Sequence, residues 1–109
     1  MLLLLSHTAD EGIKEKVGED LDGYVKVVID LAKEIVAAGG KRHVDAEQLL
    51  LSKGSKQEDL WGGGIDLETG TIDFDSMINI RPAQSNSSRE VLSSDIRAKM
   101  EALIRNYFV

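Results

Sequence analysis

The sequence holds no cysteine, one proline and one tryptophan among its 109 residues. Without cysteine there is no disulfide framework and no thiolate metal site, and a reducing compartment is the simpler expectation. A single proline beside ten glycines is too few breakers for a disordered or linker-like chain. Basic residues are in deficit: 13 Lys and Arg against 19 Asp and Glu leave a formal charge of −6. Binding along a phosphate backbone needs a basic surface, so general nucleic-acid binding is disfavoured, although a local arginine patch is not excluded. Long apolar runs are also missing. The opening "MLLLL" has no basic flank and no small-residue cleavage site, and it is far too short to span a bilayer. These absences predict a cytoplasmic protein that makes no membrane contact.

What is present is a globular composition. Hydrophobic residues make up 42% and charged residues 29%, which suits a single folded domain over residues 1–109 with one core. Residues 2–5 predict a short buried strand. Thr8 followed three residues later by Glu11 has capping-box spacing, and Ile13 and Val17 share a face, so a helix is expected near 9–17. At the other end, Ser93 or Ser94 can cap a helix over 94–107. Asp95 complements its dipole, and Ile96, Met100, Leu103 and Tyr107 form its apolar face. Ile72, Phe74, Ile78 and Ile80 alternate with polar residues, interrupted only by Ser76 and Met77, which predicts a strand over 71–81 that Pro82 ends.

Two stretches read both ways. In 24–40, Val25, Val28, Ile29, Ala32, Ile35 and Val36 make a helical stripe, with Asp22 as a cap and Gly39 as a stop. The same stretch carries the β-branched run Val25, Val27, Val28 and Ile29, which favours a sheet with a hairpin turn near 32–34. In 45–53, Asp45 and Gln48 have capping-box spacing before good helix formers, yet "KGS" at 53–55 reads as a hairpin turn into a strand over 57–66.

Three boxes bear on that choice: "GGKRHVDAE" (39–47), "GSKQEDLWGGG" (54–64) and "SMINIRPAQSNSS" (76–88). On these the chain resembles a family of small prokaryotic proteins catalogued as a domain of unknown function. Where that family has Cys after its His-x-Asp element this sequence has Ala46, and its Trp-Gly box continues as Gly63, Gly64 and Ile65. The resemblance implies no activity. It implies a mixed helix–sheet domain with a hairpin in 24–40, and that tips both ambiguous stretches towards strand. The expected architecture is α+β: an antiparallel sheet of four to five strands from 24–38, 43–53, 57–66 and 71–81, with an N-terminal and a C-terminal helix on one face.

The candidate sites follow from that frame. On a strand, His43, Asp45 and Glu47 share one face, and an imidazole with two carboxylates suits Zn²⁺, Mn²⁺ or Fe²⁺. A polar strand edge explains the same pattern and is favoured, so no cofactor is expected, a divalent metal being the exception. Asn79 and Arg81 fall on the outer face of the 71–81 strand with Arg89 close behind. Together these three form a candidate anion or nucleotide site, against a plain ion-pair network. Asp73 and Asp75 share that outer face too, as a solvated acidic pair or as acid–base partners. Trp61 is a core lid or an interaction anchor. Gly62, Gly63 and Gly64 lack the Lys-Ser/Thr of a phosphate loop and read as a tight bend. His7 and His43 are the only imidazoles, and no serine stands on a nucleophile elbow, so no Ser-His-Asp constellation can be argued. Three functions remain open: a non-catalytic interaction module or homo-oligomer, which is favoured, a metal-dependent hydrolase or nuclease, and an anion binder. Whether the chain is an enzyme is undecided.

Overall fold

In the computed structural model, which describes residues 1–109, the chain runs β1 (Leu3–Leu5), α1 (Glu11–Gly18), β2 (Tyr24–Asp30), β3 (Ile35–Ala38), α2 (His43–Ser52), β4 (Leu60–Asp66), β5 (Ile72–Asp73) and α3 (Ser94–Phe108). The five strands form one antiparallel sheet in the order β1-β3-β2-β4-β5. Val27 sits at its centre, opposite Ala38 on one side and Gly63 on the other.

The 24–40 stretch is the hairpin that its β-branched residues favour. Val25, Val27 and Ile29 face one layer and Val28 the other, and all four are fully buried. A strand buried on both faces loses its polar alternation, which is why a helical stripe could be drawn through it. Asp30 fixes the turn. Its Oδ1 accepts from the amides of Ala32 and Lys33 at 2.9 Å each, and its Oδ2 accepts from Ser55 Oγ at 2.6 Å.

Residues 43–53 correct the sequence reading: they form α2, not a strand. Past Val44 no β-branched residue intervenes, and Ala, Glu, Gln and Leu all favour helix. Ala46 and Leu50 pack on Val28, Ala37 and Leu60, so α2 covers the sheet face that was expected to stay polar and open. The "KGS" turn is the stop of this helix. Gly54, at φ +94°, donates to Leu51 O, and Ser55 donates to Leu50 O.

The opposite face carries the main core. Val17 of α1 and Met100, Ile104, Tyr107 and Phe108 of α3 pack there on Val25, Ile29, Val36, Trp61 and Ile65. Both terminal helices therefore share one face, as expected. Ser93 caps α3 through a bond from the Ile96 amide, but α1 is capped by Asp10, whose Oδ1 accepts from Ile13 N at 2.8 Å. Thr8 instead donates to Asn106 O, tying the α1 entry to α3.

The expected strand over 71–81 is the second correction. Only Ile72–Asp73 pairs with β4, and single 3₁₀ turns follow at Met77–Asn79 and Pro82–Gln84. The segment still tracks the free edge of β4, but side chains replace the backbone rungs. Gly64 pairs with Asp73, the amide and carbonyl of Gly62 both bond to the Asn79 side chain, and Leu60 O accepts from Arg81 Nη2. Buried strand groups need partners, and here an amide and a guanidinium supply them.

Candidate functional site

His43, the first residue of α2, faces β4. Its Nε2 lies 2.6 Å from Gly63 O, and its Cδ2 would stand 3.2 Å from a Cβ at Gly62. Glycine at that position gives the ring room to lie on the strand. Beside it opens a cleft of ≈ 240 Å³ between β2, the start of α2, the 3₁₀ turn at Met77–Asn79 and the loop before α3. Its polar lining is Lys26, Arg42, His43, Ser76 and Arg89, with Val44, Met77 and Ile78 as the apolar wall. Three cations from three separate parts of the chain thus meet in a protein of net charge −6.

Their pairing differs. Arg42 reaches Asp45 at 3.5 Å and Arg89 reaches Asp75 at 3.0 Å, with all four side chains well exposed. Lys26 has no carboxylate partner within ion-pair distance. Next to the cleft, Tyr24 donates to Asp73 Oδ2 at 2.6 Å, and its ring crosses Gly64 where a side chain would stand. Burial, with the Asp73 hydrogen bond second, raises the Tyr24 hydroxyl well above its ordinary range.

Burial likewise pushes the His43 imidazole below its ordinary value of 6.5, helped by Lys26 and opposed by the Gly63 carbonyl, Asp73 and Asp75. A depressed folded-state value means the unfolded chain binds the proton first. The contribution of His43 to stability is therefore full above about pH 7 and is lost as pH falls through the unfolded value towards the folded one. Urea unfolding is expected to show wild-type stability falling between about pH 7.5 and 5.5, with a shallower fall in His43→Gln. An unchanged slope in the variant would put the ring in water.

The residues singled out from sequence separate in space. His43 and Glu47 lie one helical turn apart, but Asp45 turns back to Arg42, and Glu47 is buried near Gln57. No three His, Asp or Glu side chains converge where a metal could be held. The cause is the helix: residues two apart point to different sides of it. Asn79 is fully buried as a rung of the sheet edge, not on an outer face. Arg81 is also turned inward. It stacks on Trp61 with its guanidinium carbon 4.0 Å from the ring centre, and it donates to the carbonyls of Gln57 and Leu60. Burial lowers its pKa, opposed by Glu47. Trp61 is a buried core residue. Only His43 and Arg89 of the named candidates meet in the cleft. Lys26, Arg42 and Ser76 were missed, because nothing in their local patterns links residues 26, 42 and 76; the hairpin and α2 bring them together.

The chain belongs to the family DUF5674, described as a protein of unknown function, whose profile matches residues 2–107. No curated protein and no solved structure matches it significantly.

Proposed function

From a family description that assigns no activity, we propose that the chain is a non-catalytic binding module whose ligand is a small oxyanion held in the cleft beside His43. The observation that carries this reading is the convergence of Lys26, Arg42 and Arg89 on one cleft of an acidic protein. Two of these cations are held only by exposed ion pairs, worth about 0–1 kcal/mol each, so an incoming oxyanion displaces little. The third is unpaired. The first-turn amides of α2 add potential of the same sign, since the Arg42 side chain does not cap them.

The absence of chemistry in this reading is supported by the bonding of the two reactive side chains. His43 Nε2 bonds to Gly63 O, and Ser76 Oγ accepts from the Ile78 amide at 3.3 Å; neither bonds to the other. Calorimetric titration with phosphate and with sulfate at low ionic strength tests the proposal. Saturable 1:1 binding of at least one anion is expected, weakened by about tenfold in a Lys26→Met, Arg42→Met double variant. If neither anion does more than chloride at matched ionic strength, the cleft is not a binding site.

A further inference from the structure

Among the charged and imidazole side chains that line the cleft, one atom accepts a hydrogen bond, His43 Nδ1; Ser76 Oγ, the other polar lining atom, already accepts from the Ile78 amide. A carbonyl oxygen only accepts, so the contact with Gly63 O places the ring hydrogen on Nε2. In the neutral ring Nδ1 then carries a lone pair. The edge of the ring that touches β4 is the Nε2–Cδ2 edge, so Nδ1 lies on the far side. Nδ1 makes no hydrogen bond, yet it is not among the buried atoms without a partner, of which Arg81 Nε is the only one. It therefore keeps some contact with solvent, on a half-buried ring that lines the cleft. Lys26, Arg42 and Arg89 can only donate.

Building on the oxyanion reading above, we propose that the cleft selects an oxyanion that brings its own proton, with hydrogenphosphate the simplest member, over an oxyanion that has none. Hydrogenphosphate gives its oxygens to the three cations and its P–OH to Nδ1. Sulfate must set an oxygen lone pair against the Nδ1 lone pair, or leave Nδ1 without a partner. A phosphomonoester dianion is in the same position as sulfate, because its one remaining non-ionised oxygen is esterified. The ligand class is thus free phosphate, not a phosphorylated alcohol.

The test compares inorganic phosphate, sulfate and methyl phosphate by calorimetry on the intact chain at about pH 8, where an imidazole of ordinary or lowered pKa is neutral. Phosphate is expected to bind at least about tenfold more tightly than either of the others. In His43→Phe, phosphate is expected to fall to the sulfate level while sulfate is unchanged. Equal affinities in the wild type, or selectivity that survives in the variant, overturn the inference while leaving an oxyanion site in place. Absence of binding by all three overturns the oxyanion reading itself. Should His43→Phe not fold, the wild-type ratio decides the matter alone, and the ¹⁵N shift of His43 Nδ1 provides a second reading: phosphate moves it and sulfate does not.

Discussion

Replacing Gly63 with alanine is expected to lower the melting temperature by roughly 15 °C, from a destabilisation of about 3 kcal/mol. A Cβ at this position would stand 2.4 Å from Asp73 O and 3.4 Å from Met100 Cε. The first of these is a backbone atom and cannot rotate away. Either β5 withdraws from β4 or β4 bends into the core. Withdrawal is costly because Gly64–Asp73 is one of only two residue pairs that hold β5 in the sheet. Asp73 also receives the Tyr24 hydroxyl, so that bond strains too. Gly64→Ala is the informative contrast. Its Cβ would meet the Tyr24 hydroxyl at 2.0 Å, but that atom is the far end of a side chain that can swing outward. Its loss should be visibly smaller than that of Gly63→Ala. Urea unfolding followed by the fluorescence of Trp61, the only tryptophan and a buried one, measures both. A Gly63→Ala protein as stable as wild type would mean that Asp73 does not approach β4 as closely as described.

The same strand shows how far the sequence is readable. A buried strand pair announced itself in the β-branched residues 25–29, because residue type held where periodicity was ambiguous. The two terminal helices announce themselves through amphipathic spacing, and α3 also through its serine cap, whereas α1 is capped by Asp10 and not by the expected Thr8. The helix α2 is legible in its own propensities, although it starts at His43 behind Arg42 and not at an Asp45–Gln48 capping box; the family resemblance tips the stretch to strand, and the turn signal at Gly54 serves equally well as a helix stop. Only tertiary packing, Ala46 and Leu50 on Val28 and Leu60, separates the two outcomes. The alternation in 72–80 was real but misassigned. It marks a segment lying along a sheet edge, and two of the polar residues expected on the outer face, Asn79 and Arg81, reach in to complete the ladder, while Asp75 stays outside in its pair with Arg89. The candidate site was half legible for the same reason. His43 and Arg89 stand out as chemistry-bearing residues, but Lys26 is an ordinary strand lysine until the hairpin sets it beside the start of α2.

Asn79 makes the second large prediction, since it carries the part of that edge that no backbone reaches. It is fully buried. Its Oδ1 accepts from Gly62 N at 2.8 Å, and its Nδ2 donates to Gly62 O, Phe74 O and Arg89 O at 2.9, 3.2 and 3.0 Å. Asn79→Leu leaves the amide and the carbonyl of Gly62 without partners in the interior, while Phe74 O and Arg89 O keep their bonds from the amides of Val91 and Ser76. At about 1–3 kcal/mol for each unsatisfied group, the loss of about 4 kcal/mol or more approaches the whole stability of a small domain. Such a protein should be largely unfolded at room temperature. Asn79→Asp is the sharper test because it keeps the shape and the acceptor for Gly62 N but turns the donor into an oxygen facing three carbonyls. The charged form is repelled there, and only the protonated acid can donate one bond, so the folded-state pKa rises above the unfolded value of about 3.9. Below that value both states are protonated and the variant is at its best. As pH rises, the unfolded chain ionises first, and stability falls until the folded state ionises as well. The deficit of Asn79→Asp relative to wild type should therefore grow between about pH 4 and pH 8, opposite in direction to ordinary acid denaturation. A deficit independent of pH would show that the second side-chain atom of residue 79 faces water and not the carbonyls of Gly62, Phe74 and Arg89. The same residue ends the 3₁₀ turn that forms one wall of the cleft, so a folded Asn79→Asp protein should also bind oxyanions more weakly, as that wall loses its anchor to β4.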